Sequence, residues 1–185
     1  MFSQLSLPLS NKIFTAIDRH AATCQLLMLT AVICCTQRVT LLDCGNRSDM
    51  YAVARHLRLL THDPVTALKR IRVSRAFTCY QVVAMLTETT IAPGEPVILP
   101  DFLSTFFDDE VKIPDASRLF QKSLMKLKSI SETSPVLVTA RPVPSQASGK
   151  AFLLNRLIQA SHVVFESRAV LEPPGDLQMP LFAES

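Results

Sequence analysis

Three short runs, RVTLLDC at 38–44, PVILP at 96–100 and PVLVTA at 135–140, are apolar nearly throughout rather than alternating. A strand with one face in water alternates apolar and polar residues, so uninterrupted runs of this length belong to strands covered on both faces, as in parallel sheets. That requirement dictates what lies between them. Parallel neighbours need long crossovers, and helices are the economical way to supply them while covering the sheet.

The intervening segments have that character. DRHAATCQLLMLTAVICC at 18–35 places Leu26, Leu27, Thr30, Ala31 and Cys34 near helical spacing, with Asp18 a candidate N-cap. MYAVARHLRLL at 50–60 sets Tyr51, Ala54, Leu57 and Leu60 on one expected face. CYQVVAMLTETT at 79–90 reads as a third helix. DASRLFQKSLMKLKSISE at 115–132 reads as a fourth, with Leu119, Leu124, Leu127 and Ile130 inward and Lys122, Lys126 and Lys128 outward. FLLNRLIQAS near 152–161 is a fifth. KIFTAI at 12–17, a segment at 71–77, PVILPDF and HVVFESR complete the strands, separated by turn-forming stretches such as GNRSD and APGE. The expectation is one α/β domain over 12–171, with a mostly parallel sheet and helices on both faces, flanked by tails at 1–11 and 172–185.

Composition narrows the class. Of 185 residues 48% are hydrophobic, enough for a sizeable core, and 19 basic against 16 acidic residues leave a net charge of only +3. So mild a balance does not argue nucleic-acid binding by itself, and any such contact would be local. The five cysteines show no CxxC pair and no His at metal spacing, so they read as buried free thiols in a reducing compartment. No secretory signal is expected at the N-terminus. The longest apolar stretch, QLLMLTAVICC, is too short to span a bilayer, so no membrane association is expected.

The order of segments resembles the RecA-type ATPase core. RVTLLDCG and its following helix are similar to the segment that carries that family's catalytic glutamate. RIRVSRAFTCYQ is similar to the family's "ARAF" strand. PVILPDF resembles the Walker B strand, and SPVLVTARPVPSQASGK the strand entering the second DNA-binding loop. The resemblance implies a RecA-like sheet with Asp101 at the Walker B position. Its catalytic parts are missing. A phosphate-binding loop needs glycines that let backbone N–H groups curl round phosphate, and a lysine to neutralise it, whereas the matching turn is DRHAATC. Where the glutamate belongs, the chain reads Asp43, Cys44, Gly45, Asn46. The expectation is therefore a vestigial Walker B aspartate, no hydrolysis, no cofactor and no metal. Gly149-Lys150 in ASGKAF lacks the first glycine and the Ser/Thr and reads as a surface loop before a helix.

Among other chemistry, His20, His56, His62, His162 and the acidic run Asp108, Asp109, Glu110 fall into no hydrolase motif. FFDDEVKIPD reads as a solvated loop. Lys69, Arg70, Arg72 and Arg75 form the densest basic cluster. Arg141, Lys150 and Arg156 fall, by the resemblance, along a DNA-binding loop. Phosphate contact and ordinary solvated surface remain open for both groups, since no aromatic residues interleave with them.

The tails carry a second resemblance. QLSLPL at 4–9 is similar to the hexapeptide by which bacterial proteins dock on the replicative sliding clamp, and QMPLF at 178–182 to its pentapeptide form. In such peptide-in-groove recognition Gln4 or Gln178 would occupy a polar pocket. Leu7 with Leu9, or Leu181 with Phe182, would fill an apolar one, with Leu5, Pro8 and Met179 completing the two motifs.

The combined expectation is a non-catalytic, cytoplasmic, nucleoid-associated RecA-like accessory protein in DNA repair, recombination or translesion synthesis. Its expected partners are a bacterial sliding clamp, an error-prone polymerase or RecA-family protein, and single-stranded DNA. A divergent ATP-binding recombinase paralogue, a small regulatory NTPase and a purely structural subunit remain alternatives.

Overall fold

The computed structural model describes residues 12–18 and 21–166. Its six strands are β1 (Ile13–Ile17), β2 (Val39–Asp43), β3 (Ile71–Arg75), β4 (Val97–Leu99), β5 (Val136–Ala140) and β6 (Val163–Glu166). They form one sheet in the order β3-β2-β4-β5-β1-β6, and every pairing is parallel. The uniformly apolar runs fall where double-sided burial demands them: every residue of β2, β4 and β5 is buried. The edge strands β3 and β6 are half-exposed.

The helices α1 (Ala21–Cys34), α2 (Met50–Leu60) and α3 (Pro64–Leu68) cover one face, where Leu26, Leu27, Val53, Leu57 and Ala67 pack on Leu41, Ile98 and Leu137. On the opposite face α4 (Cys79–Glu88), α5 (Ile113–Ser131) and α6 (Ala151–Ala160) bury Val82, Leu86, Leu119, Phe120, Leu127 and Leu153 against Leu42, Leu99, Val136 and Val138. Three rings knit the second face together. Phe106 meets Phe102 and Phe120 edge-on, each at a centroid distance of 5.7 Å.

Several local expectations change. The buried stripe of α2 is Val53 and Leu57; of the expected face, Leu57 is buried and Ala54 partly so, while Tyr51 and Leu60 are not. Tyr51 is 86% exposed and Leu60 half-exposed, because the helix is rotated to set its β-branched and leucine residues over β2. α3 was not read from THDPVTAL. The Asp63 side chain accepts from the Thr66 N–H and Pro64 opens the turn, which suffices for a five-residue helix. β4 stops at Leu99, short of the PVILPDF strand, because Asp101 adopts φ +47 and turns the chain. Phe102, Leu103, Phe106 and Phe107 then enter the core, so the start of FFDDEVKIPD is a buried anchor, while Asp108, Asp109 and Glu110 are exposed. Cys24 is exposed and Cys35 half-buried, so the cysteines are not uniformly interior, although all five are free.

The rotated α2 makes a direct stability prediction. In urea titrations, Leu57→Ala should lower the unfolding free energy by about 2–5 kcal/mol. Tyr51→Ala should stay within about 0.5 kcal/mol of the unaltered protein. Equal losses would mean the other face is the packed one.

Candidate functional site

In an open parallel sheet the chain leaves every strand at the same edge, and a crevice opens where neighbouring strands send their next helices to opposite faces. Here β2 leads to α2 on one face and its neighbour β4 leads to α5 on the other. β5 leads to α6 on the second face and its neighbour β1 leads to α1 on the first. The carboxyl ends of β2, β4, β5 and β1 therefore border the natural site, and the polar residues there are Asp43, Asp101, Arg141 and Asp18.

Asp101 is the expected Walker B residue, and the structure gives its carboxylate protein partners. It is 98% buried, and its Oδ2 lies 3.1 Å from Arg47 Nε and 2.8 Å from Arg141 Nε. Both contacts are ion pairs rather than aligned hydrogen bonds, since neither Nε–H points along its line to Oδ2. The backbone of Asp101 is fixed as well. Its N–H donates to Thr139 Oγ1 at 2.9 Å, and Thr139 Oγ1 lies 3.2 Å from Thr23 Oγ1 on α1. The next N–H, of Phe102, donates to Thr139 O. These bonds hold Asp101 in a left-handed conformation that Asp tolerates better than most residues.

Asp43, at the end of β2, is completely buried and organises the following loop. Its Oδ1 accepts from the Arg47 N–H, and its Oδ2 accepts from the Ser48 N–H, both at 3.0 Å. Arg75 Nε stands 3.5 Å from the same carboxylate, and Arg75 Nη2 donates to Ser48 O. Asn46 takes a positive φ of 50° within this loop, and Gly45 allows the close approach to the β4 turn. A Cβ on Gly45 would sit 2.7 Å from Ser104 Oγ and 3.1 Å from Asp101 Cβ. Cys44, packed between the two aspartates, has its thiol pKa pushed well up by burial and, further, by the charges of Asp43 and Asp101.

The arginines named from sequence divide into distinct groups. Arg70 precedes β3 at its amino end and donates to the carbonyls of Cys34 and Cys35, capping α1. Arg72 donates to Thr40 Oγ1, to Thr90 O and to Glu95 at the amino edge of the sheet. Lys150 is buried, its Nζ donating to Asp108 O, while Gly149 is exposed, so the segment is a short 3-10 turn on the surface before α6 with its lysine tucked inward. Arg156 is exposed on α6 and makes no hydrogen bond or ion pair among the described residues. Only Arg75 and Arg141 reach the carboxyl-end crevice. Arg47, which completes it, was not singled out in the sequence, although it sits in the turn after an apolar strand where polar residues of such crevices arise.

The turn expected from the resemblance at the place of a phosphate-binding loop includes residues 19–20, which lie outside the described residues, as do both segments expected to carry clamp motifs, with Gln4, Leu5, Leu7, Pro8, Leu9, Gln178, Met179, Leu181 and Phe182. The described end of that turn is tied down: the Asp18 N–H donates to Ala140 O, joining β1 to the end of β5. Among the described residues no group of three or more His, Cys, Asp or Glu side chains is placed to hold a metal ion. No helix there is long and apolar enough to cross a membrane. No protein-family model matches the chain, and no curated protein matches it in sequence.

Two measurements check this site. Asp43→Ala strips the acceptor from two backbone N–H groups and an arginine, and should cost about 3–5 kcal/mol of unfolding free energy. Asp49→Ala, which removes an exposed N-cap bonded to the Tyr51 and Ala52 N–H groups, should cost about 1 kcal/mol. Thiols give the second. Burial raises the Cys34 pKa from 9.0 to about 11 and also raises those of Cys44 and Cys79. The unfolded chain therefore ionises these thiols first, and stability should fall as pH rises from 9 towards 11. At pH 8 a thiol reagent should modify native protein fastest at Cys24, with the fast phase lost in Cys24→Ser.

Proposed function

We propose that this chain is a non-catalytic RecA-like accessory protein in DNA repair, recombination or translesion synthesis, tethered to a bacterial sliding clamp by its terminal peptides. The observation that carries the non-catalytic part is the double ion pair on Asp101. A Walker B carboxylate acts by holding a magnesium ion that it shares with nucleotide phosphates. Here the oxygen that would face such an ion is already shared by two guanidinium groups. The all-parallel sheet, with helices on both faces and Asp101 at the carboxyl end of a central strand, supports the RecA-like reading.

With no hydrolytic apparatus, function falls to binding. QLSLPL and QMPLF supply a recognisable docking chemistry, a glutamine followed by leucines, proline and phenylalanine, on segments flanking the domain. Exposed Arg156 and the arginines of the crevice offer phosphate-binding groups, which supports contact with single-stranded DNA. An error-prone polymerase or a RecA-family protein is the proposed companion at the clamp, in a nucleoid-associated, cytoplasmic setting.

The tether is tested by surface plasmon resonance against an immobilised bacterial clamp. The double variant Gln4→Ala, Gln178→Ala should lose at least about tenfold in affinity, the scale of deleting a buried anchor. Unchanged binding would remove the tether from the account.

A further inference from the structure

The three arginines at the carboxyl end of the sheet are all held in the same way, through Nε. Arg47 and Arg141 each present Nε to the single oxygen Oδ2 of Asp101, and Arg75 presents Nε to Asp43. A guanidinium carries five N–H donors, so a single carboxylate oxygen beside Nε leaves its Nη donors to find other partners. In Arg75 one of these is used by Ser48 O. The Nη groups of Arg47 and Arg141 have no hydrogen-bond partner among the described residues.

Because both Nε atoms contact one oxygen, the two forks are immediate neighbours. Arg47 comes from the loop after β2 and Arg141 from the end of β5, and Asp101 stands in the turn after β4, the strand between them. The two side chains remain 54% and 36% exposed at the mouth of the crevice. Two guanidinium groups thus share one carboxylate that is 98% buried. The left-handed turns at Asn46 and Asp101 hold the two supporting loops in this arrangement.

We propose that Arg47 and Arg141 form a clip for a phosphate group, with Asp101 as the positioning residue that orients both forks. Adjacent forks with free Nη donors match the tetrahedral oxygens of a phosphate, each able to give parallel N–H···O bonds. The buried carboxylate keeps the side chains from wandering, so less rotamer freedom is lost when the anion arrives. The clip extends the DNA-contact part of the proposed function but does not require it, since a phosphodiester of single-stranded DNA and a free phosphate present the same oxygens. Arg156 and the amino-edge arginines Arg70 and Arg72 take no part.

The test is equilibrium binding of the full-length protein to two probes, a fluorescent twenty-nucleotide oligothymidylate and inorganic phosphate, in magnesium-free buffer over a series of salt concentrations. Arg47→Gln and Arg141→Gln, made singly so that Asp101 keeps one partner, should each weaken binding about fivefold or more. Each should also flatten the salt dependence of oligonucleotide binding by about 0.7 in log–log slope. Arg47→Lys and Arg141→Lys, which keep the charge but lose the fork, should recover part of the affinity. Lys122→Gln, an equal charge change at an exposed position on α5, should leave affinity unchanged. Loss of oligonucleotide binding in the Gln variants supports the clip with DNA as its source. Phosphate binding alone, lost in the same variants, supports the clip and removes DNA. Wild-type protein that binds neither probe, or Gln variants that bind as tightly as wild type, would overturn it. Clamp binding, which depends on Gln4 and Gln178, is scored separately and is unaffected by either result.

Discussion

Two carboxylates buried at the ends of β2 and β4 govern the carboxyl edge of the sheet. A charge that deep in a sheet is costly unless it is paired and hydrogen-bonded, so Asp43 and Asp101 impose conditions on everything around them. Asp43 satisfies its condition locally, folding the Gly45 to Ser48 loop onto its own oxygens and drawing Arg75 across from β3. Asp101 is paired at longer range, with arginines from the loop after β2 and from the end of β5, while its Oδ2 accepts no hydrogen bond among the described residues. Between them the two side chains link the carboxyl ends of four adjacent strands.

That linkage changes what the crevice can do. Nucleotide-hydrolysing α/β proteins keep this edge of the sheet open for phosphates and metal, with glycine-rich backbone on one side and a free carboxylate on the other. Here the carboxylate is neutralised from both flanks and the loops are drawn inward, with Gly45 against Ser104 and Asp101. Arg47 and Arg141 remain partly exposed beside it.

The layering was legible because it depends on local rules. Uniformly apolar runs require double-sided burial, and in α1 the spacing of Leu26, Leu27, Thr30, Ala31 and Cys34 marked the buried stripe as it stands. The α2 stripe was misread because Tyr51, Ala54, Leu57 and Leu60 fit a 3.6-residue period as well as Val53 and Leu57 do, and only packing against β2 decides between them. The end of β4 was misplaced because a single left-handed residue leaves no compositional mark when that residue is Asp. The arginine and aspartate cluster was the least legible. Asp43, Arg47, Asp101 and Arg141 are dispersed over nearly a hundred positions and meet only because β4 inserts between β2 and β5, an order no local pattern encodes. The available signal was weaker: a charged residue at or within two positions of the end of each apolar strand.

The central claim is that Asp101 serves as an arginine anchor and not as a metal-holding catalytic carboxylate. Steady-state ATP hydrolysis with magnesium, measured with and without single-stranded DNA, tests it most directly. The account predicts no turnover above the protein-free blank for the unaltered chain and for Asp101→Asn alike. Magnesium-dependent turnover that disappears in Asp101→Asn would contradict it.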